Sequence, residues 1–133
     1  MNVIVGRPPA VYDLICEKIG MPPATAIFTY APDVYSPGGT HLVTPDLEVH
    51  ENVHMAEQLE MTAKKWWARY LDDPQFRLEA EMRAYRAQYA HAKRLVKDRN
   101  RLARYRVGLA FSMAGAIYGR VMTFDAAYRE IGR

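Results

Sequence analysis

The chain has 133 residues, half of them hydrophobic, enough for one domain with a single core spanning residues 1–133. Its 18 basic and 15 acidic residues leave a net charge of +3, too balanced to announce a nucleic-acid partner. A lone cysteine, Cys16, excludes an internal disulfide, and the N-terminus lacks the apolar run of a secretory signal, so a reducing, cytoplasmic setting is expected.

Every proline except Pro74 falls between Pro8 and Pro45, which divides the chain into a turn-rich front and a helical rear. Val11 to Ile19 carries apolar Val11, Leu14, Ile15 and Ile19 at helical spacing, and Gly20 with Pro22 stops it, giving a short first helix. Thr25 to Tyr30 is β-branched and aromatic, and Thr40 to Val43 is a second brief strand candidate. Ser36-Pro37-Gly38-Gly39 between them supplies turn chemistry, so a small hairpin or pair of edge strands is predicted.

Thr44 as N-cap, Pro45 at the first helical position, and Asp46 and Glu48 at the positive end of the dipole predict a helix running to about Lys64. Trp66, Trp67, Tyr70 and Leu71 read as an aromatic connection. Asp72 or Asp73 before Pro74 starts a second long helix, with Phe76, Leu78, Met82, Tyr85 and Tyr89 as its buried stripe. A third helix is predicted from Arg99 to Ala114, and a last one, capped by Thr123, from Phe124 to Ile131. The most apolar window, Val107 to Ile117, is far shorter than the roughly 20 residues a bilayer needs; it reads as a buried core helix, with no membrane partner. The class expected is α+β, mainly α-helical.

His50-Glu51-Asn52-Val53-His54 fits the pattern His-Glu-x-x-His. On a helix the two imidazoles stand one above the other and can reach a single metal ion, while Glu51 lies beside it as a general base toward an activated water. Ligand type points to zinc. His41, Asp46, Glu57 and Gln58 surround the motif with groups able to orient ligands. A catalytic zinc site usually takes a third protein ligand. Glu60 is set aside, because a continuing helix aims it away from His54; Glu79, Glu81 and, more weakly, His91 stay in competition, and the two glutamates lie on different faces of their helix.

His50 to His54, followed some way downstream by Glu81-Met82-Arg83-Ala84, resembles the gluzincin arrangement, in which a Glu-x-x-Ala or Glu-x-x-Ser segment on a second helix supplies the third zinc ligand. The wider run from Trp66 through Asp73 to Gln88, then Ser112 to Gly119, is similar to small metallopeptidase-like proteins of phages and bacteria. The resemblance covers roughly residues 25 to 131. It implies a zincin-like fold, zinc held by His50, His54 and Glu81, Glu51 as catalytic base, and a peptide or protein substrate. Gluzincins commonly follow that segment with an Asp that orients a metal-bound histidine, where this chain has Tyr85; Asp46, one turn before His50, is the expected substitute, or else a backbone carbonyl. Tyr85, Tyr89, His91 and Tyr118 are candidates for stabilising the transition state.

An extended peptide is expected to add to the edge strand at Thr40 to Val43. A domain this small offers few walls to a substrate cleft, so slow or narrow activity, or dependence on a partner protein, is expected. Two other classes stay open. One is a zinc-binding structural or interaction module without turnover. The other, which the balanced charge disfavours, is a nucleic-acid-binding helical domain using Lys93, Arg94, Lys97, Arg99, Arg101, Arg104 and Arg106.

Overall fold

The computed structural model describes residues 1–115, 119 and 122–133. Three short strands, β1 (Asn2–Ile4), β2 (Phe28–Tyr30) and β3 (Asp33–Tyr35), form one sheet in the order β1-β3-β2. Strand β1 runs parallel to β3 and β2 antiparallel to it, so β2 is an edge strand. Six helices follow among the described residues: α1 (Tyr12–Ile19), α2 (Pro45–Met61), α3 (Ala63–Asp72), α4 (Pro74–Leu95), α5 (Arg99–Ala114) and α6 (Phe124–Ile131). The class is therefore α+β and mainly helical, as the sequence predicted.

The front of the chain departs from expectation in detail. Only Phe28–Tyr30 of the first strand candidate is extended, and its hairpin partner is Asp33–Tyr35, joined through Ala31-Pro32. Thr40–Leu42 is a 3-10 turn rather than a strand, because the Leu42 and Val43 amides bond back to the Gly39 and Thr40 carbonyls.

Helix α2 starts where Thr44-Pro45 predicted, although the Thr44 hydroxyl donates to Asp46 instead of capping a backbone amide. It stops at Met61, short of Lys64, because Thr62 takes φ 79, a left-handed conformation that a β-branched residue adopts only under tertiary constraint. Thr62 then accepts a hydrogen bond from the Lys65 amide and opens α3. The expected aromatic connection is thus itself a helix. Asp73 caps α4 through the Gln75 and Phe76 amides, at 3.0 and 3.2 Å.

Two apolar clusters flank α4. Val11, Ile15, Phe28, Trp66, Trp67, Tyr70, Leu71, Phe76 and Ala80 join α1, β2, α3 and the start of α4. Met82, Tyr85, Leu109, Ala110, Met113, Ala127 and Ile131 join α4, α5 and α6. Helix α5 contributes Leu109, Ala110 and Met113 to the core while Phe111 is 66% exposed, so over its described part the expected buried core helix from Val107 buries one stripe. Arg106 is turned inward onto α6, donating to the Tyr128 carbonyl at 2.6 Å, which removes it from the basic face expected around α5. No helix among the described residues is long and apolar enough to cross a membrane.

Candidate metal centre

Helix α2 carries His50 and His54 four residues apart, on the face that packs against α4 and the edge strand β2. Glu81 comes from the facing side of α4. The Nε2 atoms of His50 and His54 lie 3.2 Å apart, and Glu81 Oε1 lies 3.1 Å from the first and 3.0 Å from the second. All three side chains are about 95% buried. Glu79 is exposed and accepts from Gln75, so of the two glutamates it is Glu81 that the fold brings to the histidines.

The other oxygen of Glu81 is also held. Tyr70 donates its hydroxyl to Glu81 Oε2 at 2.5 Å. Its ring stacks on Trp66 at 4.9 Å, and Arg77 ties its carbonyl at 2.6 Å. Burial, reinforced by the Glu81 charge, pushes the Tyr70 hydroxyl well above its ordinary value and keeps it a donor. Burial opposes the charge on Glu81, but the two histidines outweigh it and hold the carboxyl well below the carboxylate range. Burial likewise opposes charge on His54, and attraction to Glu81 overcomes it, raising His54 to about 9.

Glu51 stands one step round the helix. Thr29 of β2 donates to its Oε1 at 2.9 Å, and its Oε2 is 3.8 Å from His50 Nε2. It therefore sits beside the three donors without being one of the closest. Burial pushes its carboxyl up, opposed by the neighbouring histidines, which favours a group able to take and return a proton nearer neutrality.

His50 is oriented by Gln88, whose Oε1 is 2.9 Å from His50 Nδ1. Asp46, the expected orienting group, is not hydrogen-bonded to the ring; it accepts from Gln88 Nε2 at 3.2 Å and so acts one residue removed. The Asp46 carboxylate is instead taken up by Thr44, Gln88 and Tyr105, and a glutamine from the facing helix α4 fills the place beside the ring. Tyr85 packs its ring edge-on against His50 at 4.5 Å. Tyr118 lies outside the described residues. The remaining polar neighbours serve the scaffold: Glu57 binds Trp66 and Arg83, Gln58 binds β2, and His41 is exposed. Glu60 is exposed, whereas His50 and His54 are buried. The Nδ1 atoms of His54 and His91 are buried without a hydrogen-bond partner among the described residues.

The donor set fits a metal ion. His50, Glu51 and His54 offer ligand atoms within 4.8 Å of one another. Two imidazoles and a carboxylate oxygen at 3.0–3.2 Å make a near-equilateral triangle. Tetrahedral ligands at 2.0–2.1 Å from zinc would be separated by about 3.3–3.4 Å. A cavity of ≈ 360 Å³ opens onto the cluster, walled by Ile15, Ile19, Ala26, Ile27 and Phe111.

The outer edge of β2 is closed at one point, since the Gln58 side chain donates to the Thr29 carbonyl and accepts from the Ala31 amide, at 2.9 and 2.8 Å. The part of this segment that reaches the cavity is Thr25 to Thr29; no residue from Thr40 to Val43 lines it, and Thr40–Leu42 is not the edge strand expected there.

Compared with known proteins, the chain matches no family model, no curated protein and no solved structure.

Proposed function

We propose that this chain is a zincin-like, zinc-dependent metallopeptidase of the gluzincin type. The observation that carries the reading is the convergence of His50, His54 and Glu81 within 3.0–3.2 Å, with Glu51 beside them at the floor of a cleft. His50, His54 and Glu81 would hold the ion. Zinc, when bound, supplies a Lewis acid that polarises the scissile carbonyl and acidifies a water. Glu51, steadied by Thr29, takes a proton from the attacking water as its oxygen bonds to the carbonyl carbon. The same carboxyl delivers that proton to the amine nitrogen as the C–N bond breaks. Tyr85, against His50 and lining the cleft, is the aromatic group this reading assigns to the reacting carbonyl.

The cleft supports one class of substrate. Outside the metal cluster its described walls carry no ionisable acid or base apart from tyrosine; Ile15, Ile19, Ile27, Phe28 and Phe111 dominate. A charged side chain there would lose its hydration without gaining a partner. Incubation with a mixed peptide library and mapping of the products by mass spectrometry should therefore show cleavage beside bulky apolar residues, about tenfold or more over charged ones. Cleavage beside Lys or Asp as frequent as beside Leu or Phe contradicts this assignment of the cleft.

The depth of the cluster favours one second reading, a metal-stabilised module without turnover: His50, Glu51, His54 and Glu81 are only 4–5% exposed. The two readings part on the library. A metal-loaded protein that cuts nothing is the module.

A further inference from the structure

We propose that Gln88 is the positioning residue that keeps His50 in the tautomer able to bind a metal, and that Asp46 and Tyr105 fix the direction of its amide. The proposal rests on the metal-centre reading given above. Gln88 is 2% exposed, so its amide takes its partners from the protein.

An amide has nearly the same shape either way round, so only its neighbours decide which end faces the histidine. On the far side, Gln88 Nε2 meets Asp46 Oδ2 at 3.2 Å and the Tyr105 hydroxyl at 2.8 Å. Tyr105 donates its own proton to Asp46 Oδ2 and so faces Gln88 as an acceptor. Burial opposes the charge on Asp46, but the bonds from Thr44, Tyr105 and Gln88 outweigh it and hold the carboxyl below its ordinary value, which makes it an acceptor only. Both partners therefore demand the NH2 group. The amide oxygen is left facing His50 Nδ1, at 2.9 Å.

That oxygen can only accept, so Nδ1 carries a proton and, in the neutral ring, Nε2 keeps its lone pair. This matters because a competitor exists. Glu81 Oε1, 3.1 Å from His50 Nε2, would accept a hydrogen bond from a proton placed there, and that tautomer has no lone pair on Nε2 to offer a metal between the two histidines. Gln88 opposes it by occupying the other nitrogen. His54 has no such partner on its Nδ1 among the described residues, so the control is built for His50 alone. The relay crosses three helices, Asp46 and His50 on α2, Gln88 on α4 and Tyr105 on α5, and thereby ties the seating of α5 to the centre.

The test combines two readouts on the full chain: the tautomer of His50 in metal-free protein, from long-range 1H–15N correlation spectra, and zinc affinity, from competition with a chromophoric chelator. The wild type should show His50 protonated on Nδ1. Gln88→Leu should move the proton to Nε2 and weaken zinc binding about 10–100-fold. Tyr105→Phe, a milder change, should weaken it by less. In the double variant Gln88→Glu with Asp46→Asn, donor and acceptor are exchanged and the oxygen facing His50 is restored, so tautomer and affinity should return to within a few-fold of wild type. This pair decides the matter even where Gln88→Leu fails to fold. A wild type with the proton on Nε2, or a Gln88→Leu protein that folds and matches it in both readouts, overturns the assignment of Gln88. A wild type that takes up no zinc contradicts the metal-centre reading instead.

Discussion

Glu81→Gln should leave a folded protein that no longer retains zinc, with affinity reduced by more than about 100-fold, beyond what loss of an outer hydrogen-bonding partner costs. The substitution keeps the shape of the side chain, and an amide oxygen can still accept from Tyr70, whose hydroxyl lies 2.5 Å from Glu81 Oε2. It removes the negative charge facing both histidines at 3.0–3.1 Å. Alanine would be a harsher test, since stripping one member from a buried charged pair costs about 3–5 kcal/mol of stability and confounds binding with folding. Glu79→Gln is the control, because Glu79 is exposed and accepts from Gln75, away from the histidines. Chelator competition on the two variants checks the pair: zinc loss in Glu79→Gln with retention in Glu81→Gln would reverse the assignment.

Glu51→Gln should have the opposite signature: zinc content unchanged, peptide hydrolysis reduced by about 10²–10⁴-fold or to background. The introduced amide can keep the hydrogen bond from Thr29, made at 2.9 Å in the native protein, so the side chain stays where Glu51 stands. What it loses is the ability to take a proton from water. Hydrolysis at the native rate in this variant, measured on any peptide the wild type cleaves, would sink the general-base role.

Much of the site was legible because its chemistry is local. His50, Glu51 and His54 sit within one turn and a half of helix, and the start signal at Thr44-Pro45 set that helix in the right place. Glu81 followed from a resemblance, with Glu79 as rival, and only the packing of α4 on α2 shows which one faces inward. The residues that hold these side chains in place were not legible. Gln88, Tyr70 and Thr29 reach the cluster across sequence separations of 38, 11 and 22 residues, and Tyr105 backs Gln88 from 17 residues further on, through side chains whose types suit many other roles.

The fold divides the same way. Helices α1, α4, α5 and α6 were readable from caps and periodicity. Helix α3 was not expected, although Ala63, Trp66, Trp67, Tyr70 and Leu71 repeat at helical spacing, because bulky aromatics suit a packed connection equally well. Strands of three residues are too short to show alternation. Asp33–Tyr35 is extended because β1 and β2 flank it, and Thr40–Leu42 is not because no described strand pairs with it.

Whether His50, His54 and Glu81 form a zinc centre is tested most directly by elemental analysis of the protein after stripping with a chelator, reloading with zinc and removing the excess. About one equivalent of zinc per chain, absent from Glu81→Gln treated identically, is the expected result. A protein that emerges without metal, or one that binds the same amount with Glu81 replaced, contradicts the zinc centre.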